Sequence, residues 1–188
     1  DETILEAIRD NEPDQVLLGW HGERTRQGGA FGPNLDAVVE EAPCETTLVT
    51  LHDETIGSPV ALAGPGAHAP VAARRAVEFA SVDGTVPTLL NVQRTGDDGD
   101  AAVDRGHAVI DDVADRAGLA PDEYERAVVV ADDVEGALLA TADRYNTICV
   151  GLSERSSASR VMFGTIAERI SREATSNVGI VRGPPDRS

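Results

Sequence analysis

The chain has 188 residues, of which 33 are acidic and 16 basic, giving a net charge of −17. That length holds one large domain or two small ones, and the charge excludes nucleic-acid backbones and anionic membrane surfaces as partners, since both need basic surface. Apolar residues make up 41% and aromatics only 3%, so the chain can pack a core, and that core must be aliphatic.

In chain order, ETILEAIRD predicts a first helix, and the apolar run at residues 15–18 predicts a short strand. A polar, Gly-rich loop follows, then an amphipathic stretch and a second apolar run at residues 46–51. Residues 59–63 (PVALA) predict a buried strand, followed by the Gly64-Pro65-Gly66 loop. Pro70 opens the next helix, as Pro does at a first helical position, with Ala72, Ala76 and Phe79 facing inward. Residues 86–92 (VPTLLNV) predict a strand, 101–117 a helix with Val103, Ile110, Val113 and Ala117 inward, and 126–131 (RAVVVA) a strand. Asp132 or Asp133 caps the helix that runs to about Asp143. The order then closes with a strand at 147–150, a loop at 151–164, a helix at 165–174 and a strand at 178–182. Strands that are continuous apolar runs, alternating with helices, indicate a parallel sheet covered on both faces.

The chain contains an internal repeat. A shift of 132 positions aligns residues 14–50 with 146–182 without a gap and places Gly19 on Gly151, Gly32 on Gly164, Ala42 on Ala174 and Val49 on Val181. Each copy reads as apolar run, polar loop, amphipathic stretch, apolar run. The second copy sits inside a unit that has three further strands upstream, so the first copy is half a unit.

In open α/β sheets ligands lie beyond the carboxyl ends of the strands, where strand order reverses. The candidate loop follows the strand at 147–150 and is spaced Gly-x2-Glu-x9-Gly-Thr (Gly151, Glu154, Gly164, Thr165). In the first copy it is Gly-x2-Gly-x9-Gly-Pro (Gly19, Gly22, Gly32, Pro33). Glycines let backbone N–H groups approach an anion, the following helix N-terminus adds positive partial charge, and a Thr hydroxyl adds a donor. The same glycines also suit a tight strand-to-helix turn that binds nothing, and spacing alone leaves both readings open.

With this loop present twice, each time followed by a helix and a last strand, the chain resembles the universal stress protein family. Nucleotide-binding members of that family carry Gly-x2-Gly-x9-Gly-Ser/Thr at this place. The resemblance implies a five-stranded parallel open sheet of order 3-2-1-4-5 with helices on both faces. It divides the chain into the C-terminal half of a first domain (1–55), a complete second domain (57–184) and a tail (185–188). It also implies pairing with another such domain through the final edge strand, here 178–182 against 46–51, or in a homodimer.

Two departures bear on function. ATP-binding members place an Asp at the end of the first strand, where Pro65 stands here. The second loop glycine is Glu154, whose carboxylate would repel a phosphate unless Arg155 or Arg160 compensates. The resemblance thus implies ATP or AMP as ligand, while these departures predict that no cofactor is held. Two readings follow: a non-enzymatic regulatory or sensory module, or an adenine-nucleotide-binding stress-response protein with at most slow hydrolysis.

A start at Asp1, mid-unit and without an initiator Met, reads as that of a fragment. Tandem domains of this family occur as cytosolic tails of transporters, and the expected context is the cytoplasmic portion of a haloarchaeal amino-acid or cation transporter, with its membrane domain as a further partner. All 16 basic residues are Arg, and there is no Lys; with the acidic excess this is the surface expected of a salt-adapted protein, whose self-repulsion concentrated salt screens. Cys44 and Cys149 lack metal-ligand spacing, and His21, His52, His68 and His107 are scattered, so no metal site is expected. Asp97, Asp98 and Asp100 lack the Glu that a calcium loop needs at its last position, and Ser156, Ser157 and Ser159 read as a polar loop.

Overall fold

The structure, a computed structural model, describes residues 3–20, 33–96, 99–152 and 165–185. Its elements are α1 (Ile4–Asn11), β1 (Gln15–Gly19), α2 (Pro33–Glu41), β2 (Glu45–Thr50), β3 (Pro59–Leu62), α3 (Ala69–Asp83) and β4 (Thr88–Arg94), followed by α4 (Gly99–Ala117), β5 (Glu125–Ala131), α5 (Val134–Ala142), β6 (Thr147–Gly151), α6 (Thr165–Glu173) and β7 (Asn177–Arg182). Local chemistry sets several ends. Thr3 and Glu6 form a reciprocal capping box on α1, and Asp133 accepts the Gly136 N–H to cap α5. α3 carries Pro70 in its first turn and ends at Gly84, whose φ of 65° is left-handed. The strand expected from Val86 begins instead at Thr88, because Pro87 has no N–H for the ladder and only its carbonyl takes part, accepting from Glu125.

The sheet departs from the expected five parallel strands. Seven described strands form one sheet in the order β1-β2-β7-β6-β3-β4-β5, and β2 runs antiparallel to β7, with Thr46 opposite Arg182 and Thr50 opposite Val178. The reason is that β2 and β7 each present an apolar edge, and joining them satisfies both rows of backbone groups. β1 and β2 thereby extend the sheet beyond the strands that follow residue 58, which lie side by side as β5-β4-β3-β6-β7.

Both faces are packed, as the apolar strands require. α3 and α4 cover Ala61, Leu89, Cys149 and Val181 on one face, with Ile110 and Val113 filling between. On the other, Val60, Leu90, Ile148, Val178 and Ile180 meet Leu138 of α5 and Ile170 of α6. α1 and α2 close over Ile8, Val38, Ala42 and Cys44.

Polar groups fasten the seam between β2 and β7. Arg75 on α3 is only 2% exposed; it donates to the Thr47 hydroxyl (3.1 Å) and to Glu45 (3.4 Å), and pairs with Glu78. Arg74 reaches the other Glu45 oxygen at 2.5 Å. Arg182 on β7 donates to the Ala42 carbonyl at the end of α2 (3.0 Å). Asn177, 1% exposed, accepts from the His52 and Asp53 N–H groups and donates to the Thr55 carbonyl. The connection between β2 and β3 is therefore held along its length rather than loose.

Candidate functional site

The strand order reverses around β3, which pairs with β4 on one side and β6 on the other, all parallel. A ligand site of this architecture lies at their carboxyl ends. There the turn after β3 (Gly64, Pro65, Gly66, Ala67) leads into His68, which precedes α3. Asn91 on β4 braces the turn: it is buried, donates to the Ala63 carbonyl at 2.7 Å, and accepts from Gln93. Pro65 is exposed, and its ring offers no charge or donor where the resemblance called for a carboxylate.

Gly151 ends β6 against this turn. A Cβ built on it would sit 2.7 Å from the His68 carbonyl carbon and 2.9 Å from both the His68 oxygen and the Ala69 nitrogen. Only glycine lets these two backbones approach so closely. His68 itself is buried, and its Nδ1 accepts the Gly183 N–H at 3.1 Å, so the neutral ring carries its proton on Nε2. Turn, β6 end and β7 end are thus clasped together by one glycine and one histidine. Sequence reasoning treated His68 only as one of four scattered histidines, and nothing in its flanking residues signals that role.

Of the other positions singled out, Gly19 ends β1, and a Cβ there would have no described residue's atom within 4 Å. Thr165 begins α6. Gly22, Gly32, Glu154, Gly164, Arg155, Arg160 and the side chain of Thr165 lie outside the described residues, as do His21, Asp97, Asp98, Ser156, Ser157 and Ser159. Gly19 and Gly151 stand at the ends of strands separated by β2 and β7, so the structure does not bring them together.

Burial pushes the thiols of both cysteines up, Cys149 to about 12 with Arg75 acting against the shift, so neither supplies a thiolate near neutral pH. Among the described residues no group of His, Cys, Asp and Glu could hold a metal ion, and no helix is long and apolar enough to cross a membrane.

A mostly parallel sheet with helices on both faces, whose strand order reverses at β3, defines the class of open α/β domains. The family comparison narrows this. The universal stress protein family profile matches residues 1–50 and 60–182. A universal stress protein from Archaeoglobus fulgidus superposes on 97% of the chain with a TM-score of 0.62 at 20% identity, and the chain spans 66% of that protein's length. UspA from Lactobacillus plantarum matches 69% of the chain over 100% of its own length (TM-score 0.53, 14% identity). A universal stress protein solved in complex with cAMP matches 68% of the chain and 97% of its own (TM-score 0.53, 18% identity). No curated protein is significantly similar in sequence. The chain belongs to the universal stress protein family.

Proposed function

We propose that this chain is a non-enzymatic regulatory module of the universal stress protein family in which the adenine-nucleotide site has been given up and domain contacts have been kept. The observation that carries this reading is the contact of Gly151 with the His68–Ala69 backbone. It accounts for the retained glycine by packing alone, so the glycine is no argument for a phosphate. The turn beside it carries exposed Pro65 in place of a carboxylate, and Glu154 brings negative charge to the loop that would receive the phosphates. The tandem arrangement of two domains is part of the proposal and is supported by the 132-residue repeat. Homodimerisation, a cytoplasmic place and a role as the cytosolic part of an amino-acid or cation transporter belong to the same proposal.

The second reading, a binder of ATP, AMP or a related adenine nucleotide, is favoured by the cAMP complex of one structural relative. Calorimetric titration with ATP separates the two. Pro65→Asp combined with Glu154→Gly restores the family pattern and is expected to tighten binding by about tenfold to a hundredfold, the worth of one hydrogen bond to a charged group. If the double variant binds no better than the unaltered chain, the two substitutions are not what disables the site.

A further inference from the structure

Edge pairing already joins this chain to itself, since β2 lies antiparallel to β7 with Thr46 opposite Arg182. The final strand is thereby flanked by β2 and β6 and has no open edge left for a second copy. β5 has one. It closes the sheet at the end away from β1, paired with β4 alone, and among the described residues no strand takes its outer edge. The chain around it is described without a break from residue 99 to 152. Both of its faces are packed, Val128 into the layer under α3 and α4, and Ala127 and Val129 into the layer under α5. Only the edge remains.

That edge lacks the devices that keep edges apart. β5 has seven residues, as many as β4 and more than any other described strand, and it pairs with β4 without a bulge. Its middle, residues 127–131 (AVVVA), is half-buried and holds no charge and no Pro. The backbone is in phase for a partner. Glu125 N–H donates to the Pro87 carbonyl, and the Ala131 carbonyl accepts from Thr95, so odd-numbered residues serve the ladder to β4. Arg126, Val128 and Val130 turn their backbone groups outward. Charge then selects the occupant. Arg126 and Asp132 are both exposed and stand three positions either side of Val129 with opposite signs. An antiparallel second copy related by a two-fold axis at Val129 therefore sets each Arg126 opposite an Asp132. Arg126 is held at the edge by Asp111 at 2.9 Å and by the Tyr124 ring, 5.7 Å to its centroid, while 41% of its side chain stays open to a further carboxylate. Glu125 faces Asp133 at the ends of such a seam, a repulsion that concentrated salt screens, and Asp133 is engaged by the Gly136 N–H.

We propose that two copies of this chain pair antiparallel through β5, continuing the sheet from one copy into the next. Val128 of each copy exchanges backbone hydrogen bonds with Val130 of the other, and Val129 meets its own copy at the axis. Exposed ion pairs add little affinity, so Arg126 and Asp132 fix register and orientation while the ladder and the apolar middle hold the dimer. The inference rests on the homodimer reading of the proposed function and names the surface it uses.

The test is sedimentation of the full chain in concentrated KCl, without nucleotide, over a wide range of protein concentration. A reversible dimer is expected. Val130→Pro removes an outward N–H that β4 does not use, and the loss of two symmetry-related bonds should weaken the dimer about tenfold or more. Asp132→Arg is the second variant, at an exposed position outside the ladder. It sets Arg against Arg126 and should weaken the dimer even though it lowers the net negative charge that opposes association. Oxidation of Val129→Cys reads the register directly. At the axis the two Cα atoms stand about 4.5 Å apart, within reach of a disulfide, and the native Cys44 and Cys149 are buried. A covalent dimer is expected from Val129→Cys and not from Val130→Cys. A dimer that keeps its affinity in both Val130→Pro and Asp132→Arg overturns the assignment to β5 and leaves dimerisation standing. A chain that stays monomeric at every concentration overturns both, and crosslinking through Val130→Cys alone overturns the pairing proposed. The nucleotide reading is tested separately, by the ATP titration.

Discussion

Gly151 and Gly19 occupy matching places at the ends of their strands, yet the structure asks different things of them. At Gly151 an added methyl meets backbone at 2.7 Å, and backbone cannot swing aside as a flexible side chain can. Gly151→Ala is expected to destabilise by about 1–3 kcal/mol, the range for overpacking a tight contact. Gly19→Ala meets no atom of the described residues and should lie within about 0.5 kcal/mol of the unaltered chain. Urea unfolding of the two variants checks this; equal losses at both positions would mean that the His68 contact does not set the requirement for glycine. His68 acts with Gly151, because its Nδ1 holds the Gly183 N–H and so ties the exit of β7 to the entry of α3.

At the scale of elements, the seam between β2 and β7 is where separate parts of the chain become one sheet. Arg75 reaches across it from α3 to Thr47 and Glu45 while nearly fully buried. Arg75→Ala strands the Thr47 hydroxyl and leaves Glu45 with Arg74 alone. Glu45 and Glu78 retain some solvent access (20% and 50% side-chain exposure), so the loss should fall at about 2–4 kcal/mol, short of that for a fully buried pair. Denaturant midpoints measure it, and a change below about 0.5 kcal/mol, the size of an ordinary surface substitution, would contradict the role. This network was not legible beforehand. The pattern of the helix does not single out Arg75, and only the seam, formed with residues almost 30 positions earlier, buries it. The strands themselves were legible because burial on both faces makes them uninterrupted apolar runs. So was the alignment of residues 46–51 with 178–182, whose strands pair in the sheet. The start of β4 was misplaced because apolarity continues through Val86 and Pro87 while the ladder cannot. At the candidate site, Gly19 and Gly151 end their strands, but glycine spacing does not reveal what a glycine there is for. A glycine that admits a phosphate and one that admits a neighbouring turn look alike until the turn is seen.

For the whole molecule the dominant quantity is charge. With −17 and no Lys, self-repulsion opposes the compact state, and described Arg pairs such as Arg9–Glu41, Arg116–Asp112 and Arg126–Asp111 offset part of it at exposed sites where each is worth little. Thermal unfolding midpoints should therefore climb by many degrees between about 0.1 and 2 M KCl as the screening length falls to about 3 Å or less; a flat response would contradict salt adaptation. Charge also bears on ligands, since a strongly anionic protein must place local positive charge or backbone donors wherever a phosphate is to bind. The described end of β6 spends its close approach on the His68 turn instead. The central claim, a universal stress protein fold whose nucleotide site is no longer used, is tested most directly by calorimetric titration of the unaltered chain with ATP in concentrated KCl. The account predicts no saturable heat up to about 1 mM ATP, which corresponds to binding weaker than about 4 kcal/mol. A dissociation constant near 1 μM, about 8 kcal/mol, would contradict it and make this chain a nucleotide sensor.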